Sequence, residues 1–311
     1  MDALIGAPID EMVASRTALD ASAQALPRTI RRTVTLQRAS GPLVVDVWEA
    51  RAPAGEPPVL LVHGWGGSST YWEETARSLA ATTDVIVPDL PGAGRSLPLT
   101  RPLNLFDQVD ALRDVLDALA LPRVQVVAHS MGAAITMLLA AREPERFGRL
   151  ILVSVCLFAN AVQQTVYNII MKVTYLMMAF RHPIMADLPF LSRLAAQKYF
   201  FRVPNDPILL RQGMLDYLQM DRATAIACAN DACDPAIPQA ARAIRSPVLL
   251  MACRQDTVTP SENVDYTARI IPDCRVQWIE ECGHLPMLEQ PAVFMQAVRD
   301  FLQLPAPDLR A

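Results

Sequence analysis

The chain has 311 residues, 52% hydrophobic and 19% charged, which suits one large α/β domain with an insertion or two ordinary domains and excludes a disordered chain. A net charge of −4 gives no electrostatic case for nucleic acid or an anionic surface as partner. Six cysteines (156, 228, 233, 253, 274 and 282) lack the close C-x-x-C pairing of zinc sites, and MDALIGAPIDEMVAS shows no secretory signal, so they read as free thiols of a cytoplasmic protein.

Residues 1–30 read as an N-terminal helical extension. RTVTLQR (32–38) and LVVDVWEA (43–50) follow as an antiparallel pair at a sheet edge. Five short runs rich in Val, Ile and Leu then recur, each ending in a turn signal: PVLLVHG (58–64), DVIVPDLPG (84–92), RVQVVAHS (123–130), RLILVSV (149–155) and PVLLMAC (247–253). Helical segments such as 70–81 and 104–119 lie between them, the second with Leu105, Val109, Leu112, Leu116 and Leu119 at helical spacing. Continuous apolar strands alternating with amphipathic helices predict a mostly parallel central β-sheet with helices on both faces.

The alternation stops at residues 157–245, which predict an inserted helical cap between two core segments, 31–156 and 246–311. Leu150 to Met171 contains no charge and has the length of a bilayer span. Asn160, Gln163, Gln164 and Asn168 interrupt it, and a strand followed by an amphipathic helix explains it without a membrane. Val162, Val166, Ile169, Val173, Leu176 and Phe180 mark one face of that helix. A further helix opens at NDPILL, with Asp206 as N-cap and Pro207 at the first helical position.

AHSMG (128–132) raises the question of a nucleophile. A serine in a strained strand-to-helix turn projects its hydroxyl above the carboxyl edge of a sheet, and the positions two before and two after must be small. Ala128 and Gly132 meet that need, although a plain serine at a helix start would carry a similar pattern. A serine hydroxyl needs a base at neutral pH. Among the four histidines, His129 lies within the turn and reads as packing beside it. His182 lies in the insertion, and His63 precedes the glycines of HGWGGS. His284, in a Gly-His loop after the strand RVQWIEE, is the candidate base. The acid that orients it should follow an earlier strand. Asp256 in MACRQDTVTP is favoured over Asp231, Asp234, Asp265 and Asp273. Developing oxyanion charge needs backbone donors, for which the Met131 and Trp65 amides are the candidates.

These motifs together resemble the α/β-hydrolase superfamily, in its capped serine esterase- and lipase-like branch. The resemblance rests on HGWGGS (63–68), DLPGAGRS (89–96), AHSMG, DTVTP (256–260) and GHLPMLEQP (283–291), in the order Ser, Asp, His. The one departure is Ala128 where the family's elbow carries glycine. The resemblance implies the α/β-hydrolase fold, with Ser130, Asp256 and His284 catalytic and the Trp65 and Met131 amides as the oxyanion hole. It implies that Asp89, Gly94 and Ser96 shape a loop near the site. No metal or organic cofactor is implied. A serine nucleophile points to acyl transfer, foremost hydrolysis of small hydrophobic carboxylic esters with short-to-medium acyl groups. Hydrolysis of carbon–carbon bonds in ring-fission diketones, acyl or thioester transfer, and a non-catalytic binding module are the alternatives. Nine of the Phe and Tyr residues and six methionines fall in the insertion, which predicts that part of them line an apolar cleft above Ser130.

Overall fold

The computed structural model describes residues 30–51, 55–259 and 261–305. The predicted extension over 1–30 therefore lies outside the described residues, except for Ile30, which opens the first strand. β1 (Ile30–Arg38) and β2 (Gly41–Glu49) form an antiparallel hairpin, with Ile30 opposite Glu49 and Arg38 opposite Gly41. The core then alternates: β3 (Val59–Val62), α1 (Glu73–Leu79), β4 (Val85–Pro88), α2 (Leu105–Ala118), β5 (Val124–His129), α3 (Met131–Arg142) and β6 (Phe147–Val153). Five helices follow: α4 (Ala161–Met178), α5 (Pro189–Ala196), α6 (Pro207–Gln219), α7 (Arg222–Asn230) and α8 (Ala236–Ala243). β7 (Val248–Cys253), α9 (Val264–Ile270), β8 (Cys274–Ile279), α10 (Pro286–Glu289) and α11 (Pro291–Leu302) complete the chain.

The eight strands form one sheet in the order β1-β2-β4-β3-β5-β6-β7-β8. β2 runs antiparallel to both neighbours, and every pairing from β4 to β8 is parallel. The central strands are apolar on both sides because both faces are covered. Leu60, Val126 and Leu152 pack toward α2, α3 and α8, while Leu61, Val127 and Ile151 pack toward α1 and α11. Successive side chains of an extended strand point to opposite faces, so one unbroken apolar run fills two cores.

Local chemistry sets the helix boundaries. Asn104 caps α2 through a reciprocal box, accepting from the Asp107 amide at 2.9 Å while Asp107 accepts from the Asn104 amide at 3.0 Å. Asp206 caps α6 at the expected position, accepting from the Ile208 and Leu209 amides, with Pro207 opening the helix.

The β5–α3 junction is the tightest point of the core. Ser130 sits there at φ 52° and ψ −117°, a conformation that L-residues rarely adopt. α3 leaves so close to β3 that a Cβ on Gly132 would lie 2.6 Å from the His63 carbonyl oxygen and 2.7 Å from that of Val62. Ala128 is fully buried in β5 between Val62 and Leu152, so its methyl joins the core where the family's glycine would leave it empty. Both contacts at Gly132 are backbone and cannot swing aside. Gly132→Ala should therefore cost about 1–3 kcal/mol, as overpacking does. Urea unfolding measures it, and an unchanged midpoint would show that the junction is looser than described.

Candidate active site

The carboxyl ends of four parallel strands carry the residues singled out in the sequence. Trp65 follows β3, Ser130 follows β5, Asp256 follows β7 and His284 follows β8. Ligand sites in open α/β sheets lie outside this edge. Asp256 and His284 meet there: Nδ1 of the imidazole donates to Oδ2 of the carboxylate at 2.8 Å, with both side chains buried. The same carboxylate accepts from the Val258 amide (2.8 Å), the Thr259 amide (3.0 Å) and the Thr259 hydroxyl (2.5 Å). Burial pushes the Asp256 carboxyl up, but the facing imidazole and the Thr259 donors outweigh it and hold its pKa below the ordinary carboxylate range. The other aspartates lie elsewhere. Asp231 accepts from the Leu105 amide and Asp234 from the Ala236 amide.

Ser130 is half-buried at its strained turn, and among the described residues its hydroxyl has no hydrogen-bond partner. The loop after β3 presses against it: a Cβ on Gly64 would come within 3.1 Å of the Ser130 Cβ and 2.8 Å of the His129 ring. No acceptor for the Trp65 or Met131 amide is present among the described residues. The Trp65 side chain is turned toward the insertion. Its indole donates to the Ala225 carbonyl at 2.9 Å and its ring packs on Tyr217.

His129, read from the sequence as packing beside the turn, is a structural strut. Its Nε2 faces the His284 carbonyl at 3.0 Å. A carbonyl only accepts, so Nε2 carries the proton and Nδ1 accepts from the Tyr71 hydroxyl at 3.0 Å. The Tyr71 oxygen accepts in turn from the Gly64 amide at 2.5 Å. Burial pushes the Tyr71 phenol well up, which keeps it a donor. From the other side, the His284 amide donates to the Tyr199 carbonyl of the insertion at 2.6 Å. Glu289 fastens the same contact, accepting from the Gly283 amide (2.8 Å) and from Phe201 and Arg202 in the insertion. Glu289 lies inside GHLPMLEQP, and its spacing of six from Gly283 was the only sequence signal for this role.

His63 holds the loop after β3. Its Nε2 accepts from the Leu90 amide at 2.8 Å, so Nδ1 donates to the Gly64 carbonyl at 2.9 Å. Asp89 accepts from the Ser69 amide (2.7 Å) and from Arg95, while Ser96 ties the Asp89 carbonyl to the Val44 amide. His182 caps a short 3₁₀ turn, accepting from the Ile184 amide.

The insertion's aromatic residues divide. Tyr199 and Tyr217 approach the site beside His284 and Trp65. Phe180, Phe190 and Phe201, expected in a core or over the cleft, instead point to solvent. Met220, with Leu90, Ala93 and Ala225, gives an apolar lining to a cavity that also touches Trp65 and Met131 and holds about 270 Å³ of empty space, its open mouth included. A larger cavity beside β2 is lined by Arg31, Asp46, Glu73 and Arg95, whose charges pair with one another, and shares no residue with this site.

Burial lowers the pKa of both His63 and His129, the latter also because the His284 charge opposes a second cation. An unfolded histidine titrates near 6.5. Below about pH 6.5 the unfolded chain therefore binds more protons than the folded one, and stability rises with pH across that window. The melting temperature should fall as pH is lowered from about 7 to about 5, and His129→Gln should flatten the slope. A melting temperature that holds or climbs on acidification would contradict the buried neutral pair.

The chain resembles an uncharacterized protein of Mycobacterium tuberculosis, 27% identical over 279 residues, covering 83% of this chain and 78% of that one. It is 26% identical over 258 residues to the pimeloyl-[acyl-carrier protein] methyl ester esterase of Neisseria meningitidis, covering 81% of this chain and 95% of the relative. A thermophilic esterase from Thermogutta terrifontis shares the fold, with a TM-score of 0.68 at 24% identity over 88% of this chain and 98% of that one. The model of the alpha/beta hydrolase family matches residues 59–297, from β3 into α11. The chain belongs to the alpha/beta hydrolase family.

Proposed function

We propose that the protein is a carboxylic ester hydrolase that forms an acyl-enzyme on Ser130, with residues 157–245 acting as a cap over the site. The observation that carries this reading is the buried 2.8 Å pair of Asp256 and His284, whose loop is held by His129, the residue before the strained Ser130. With Nδ1 bound to the carboxylate, Nε2 is the nitrogen left to take the Ser130 proton as Oγ attacks the ester carbonyl. Negative charge then develops on the carbonyl oxygen, where the Trp65 and Met131 amides serve as donors. Collapse of the tetrahedral intermediate expels the alcohol, which takes its proton from His284. Water, deprotonated by the same imidazole, releases the acid and restores the serine. The esterase name of the Neisseria relative agrees with this chemistry.

The acyl group is small and apolar on this reading. Met220, Leu90, Ala93 and Ala225 make the lining of the cavity beside Trp65 and Met131 apolar, and the cavity is narrow. Each methylene it accepts adds about 0.8 kcal/mol, or roughly fourfold in kcat/KM, until the space is filled. A panel of p-nitrophenyl esters run on three proteins tests both parts. Wild type should gain from acetate to butyrate, while Ser130→Ala and Asp256→Asn should each lose about 10⁴-fold in turnover. An active Ser130→Ala variant overturns the chemistry, and acetate as the best substrate overturns the acyl pocket.

A further inference from the structure

α4 is amphipathic in the expected register, yet its apolar stripe is turned outward. Val162, Val166, Ile169, Val173, Leu176 and Phe180 are each 50–78% exposed. The opposite face makes the contacts with the rest of the insertion: Tyr167 donates to the Ala229 carbonyl, Tyr175 to Asn230, and Met178 is buried with Met220 and Ala225. Ile184, Phe190 and Leu194 are exposed as well. An exposed aliphatic stripe of this length on a folded domain marks a docking surface.

Charge identifies the occupant. Residues 157–205 carry five cations (Lys172, Arg181, Arg193, Lys198 and Arg202) against a single acid, Asp187, in a chain whose net charge is −4. Asp187 is itself neutralised by Arg211 at 2.7 Å, as Arg202 is by Glu281 at 2.8 Å. Lys172, in the middle of α4, and Arg193, on α5, are exposed and form no ion pair among the described residues. The whole-chain charge therefore averages over a local excess of cations in this part of the insertion. A second copy fits poorly, because a two-fold contact would set this basic rim against itself. No helix among the described residues is long and apolar enough to cross a membrane.

We propose that the outer face of α4, together with the exposed residues of α5, docks the protein on an anionic lipid surface. The aliphatic stripe enters the boundary between headgroups and acyl chains, while Lys172 and Arg193 extend their stems to the phosphates. The proposal rests on this face and its charge, independently of the ester reading, and its test reads binding instead of turnover.

The full chain is floated with vesicles of phosphatidylcholine alone and with vesicles containing roughly one quarter phosphatidylglycerol, at about 50 mM and about 500 mM salt. The protein should float with the anionic vesicles at low salt and much less with neutral vesicles or at high salt. Ile169→Asp/Val173→Asp and Lys172→Glu/Arg193→Glu should each weaken binding by roughly tenfold or more, with turnover of p-nitrophenyl butyrate unchanged. If the aliphatic variant also loses turnover, the charge variant decides. Failure of the wild type to float with anionic vesicles, or flotation of both variants like the wild type, overturns the proposal. So does a dimer in sedimentation that Ile169→Asp/Val173→Asp converts to monomer, which would give the face to a second copy.

Discussion

The position of the His284 backbone is the constraint on which the rest of the site depends. An imidazole on a loop, oriented by a carboxylate, can exchange a proton with a serine only if its main chain cannot drift. Here the amide is held by the Tyr199 carbonyl from the insertion, and the carbonyl by His129 from the β5–α3 turn. Asp256 then fixes the ring. Three separate parts of the chain converge on one residue, and His129 belongs to the same turn as Ser130. The contact therefore ties the loop of His284 to the turn of Ser130.

This arrangement ties the insertion to the candidate site. Tyr199 and Glu289 clamp the histidine loop against residues 199–202. On the other flank, Asp216 of α6 accepts from the Ser68 and Thr70 hydroxyls, and the Trp65 indole reaches the Ala225 carbonyl. The insertion thus grips both the loop that bears Trp65 and the loop that bears His284. Both loops are fixed against residues of the same insertion.

Much of this was legible in the sequence. Continuous apolar runs gave the parallel sheet because a strand covered on both faces has no reason to alternate. Asp206 and Pro207 gave a helix start because their effect is local. Asp256 and His284 were readable because strand ends place them at one edge of the sheet. The Tyr71–His129 and His129–His284 contacts were not, since they join residues 58 and 155 positions apart and depend on packing that no local pattern encodes. Periodicity identified α4 but not which face it buries. A stripe of Val, Ile and Leu ordinarily faces inward, and here Tyr167, Tyr175 and Met178 occupy that side. Net charge is silent on local faces for a similar reason, because it averages a basic insertion with an acidic core.

The claim that most needs direct measurement is that Ser130 is the nucleophile. A fluorophosphonate reacts only with a serine whose hydroxyl is deprotonated in place beside donors for the phosphoryl oxygen. Intact-mass and peptide-mapping analysis after treatment should find a single adduct, on the peptide containing Ser130, with its formation lost in His284→Ala. An adduct on another serine, or none on a folded wild-type chain, would contradict the account.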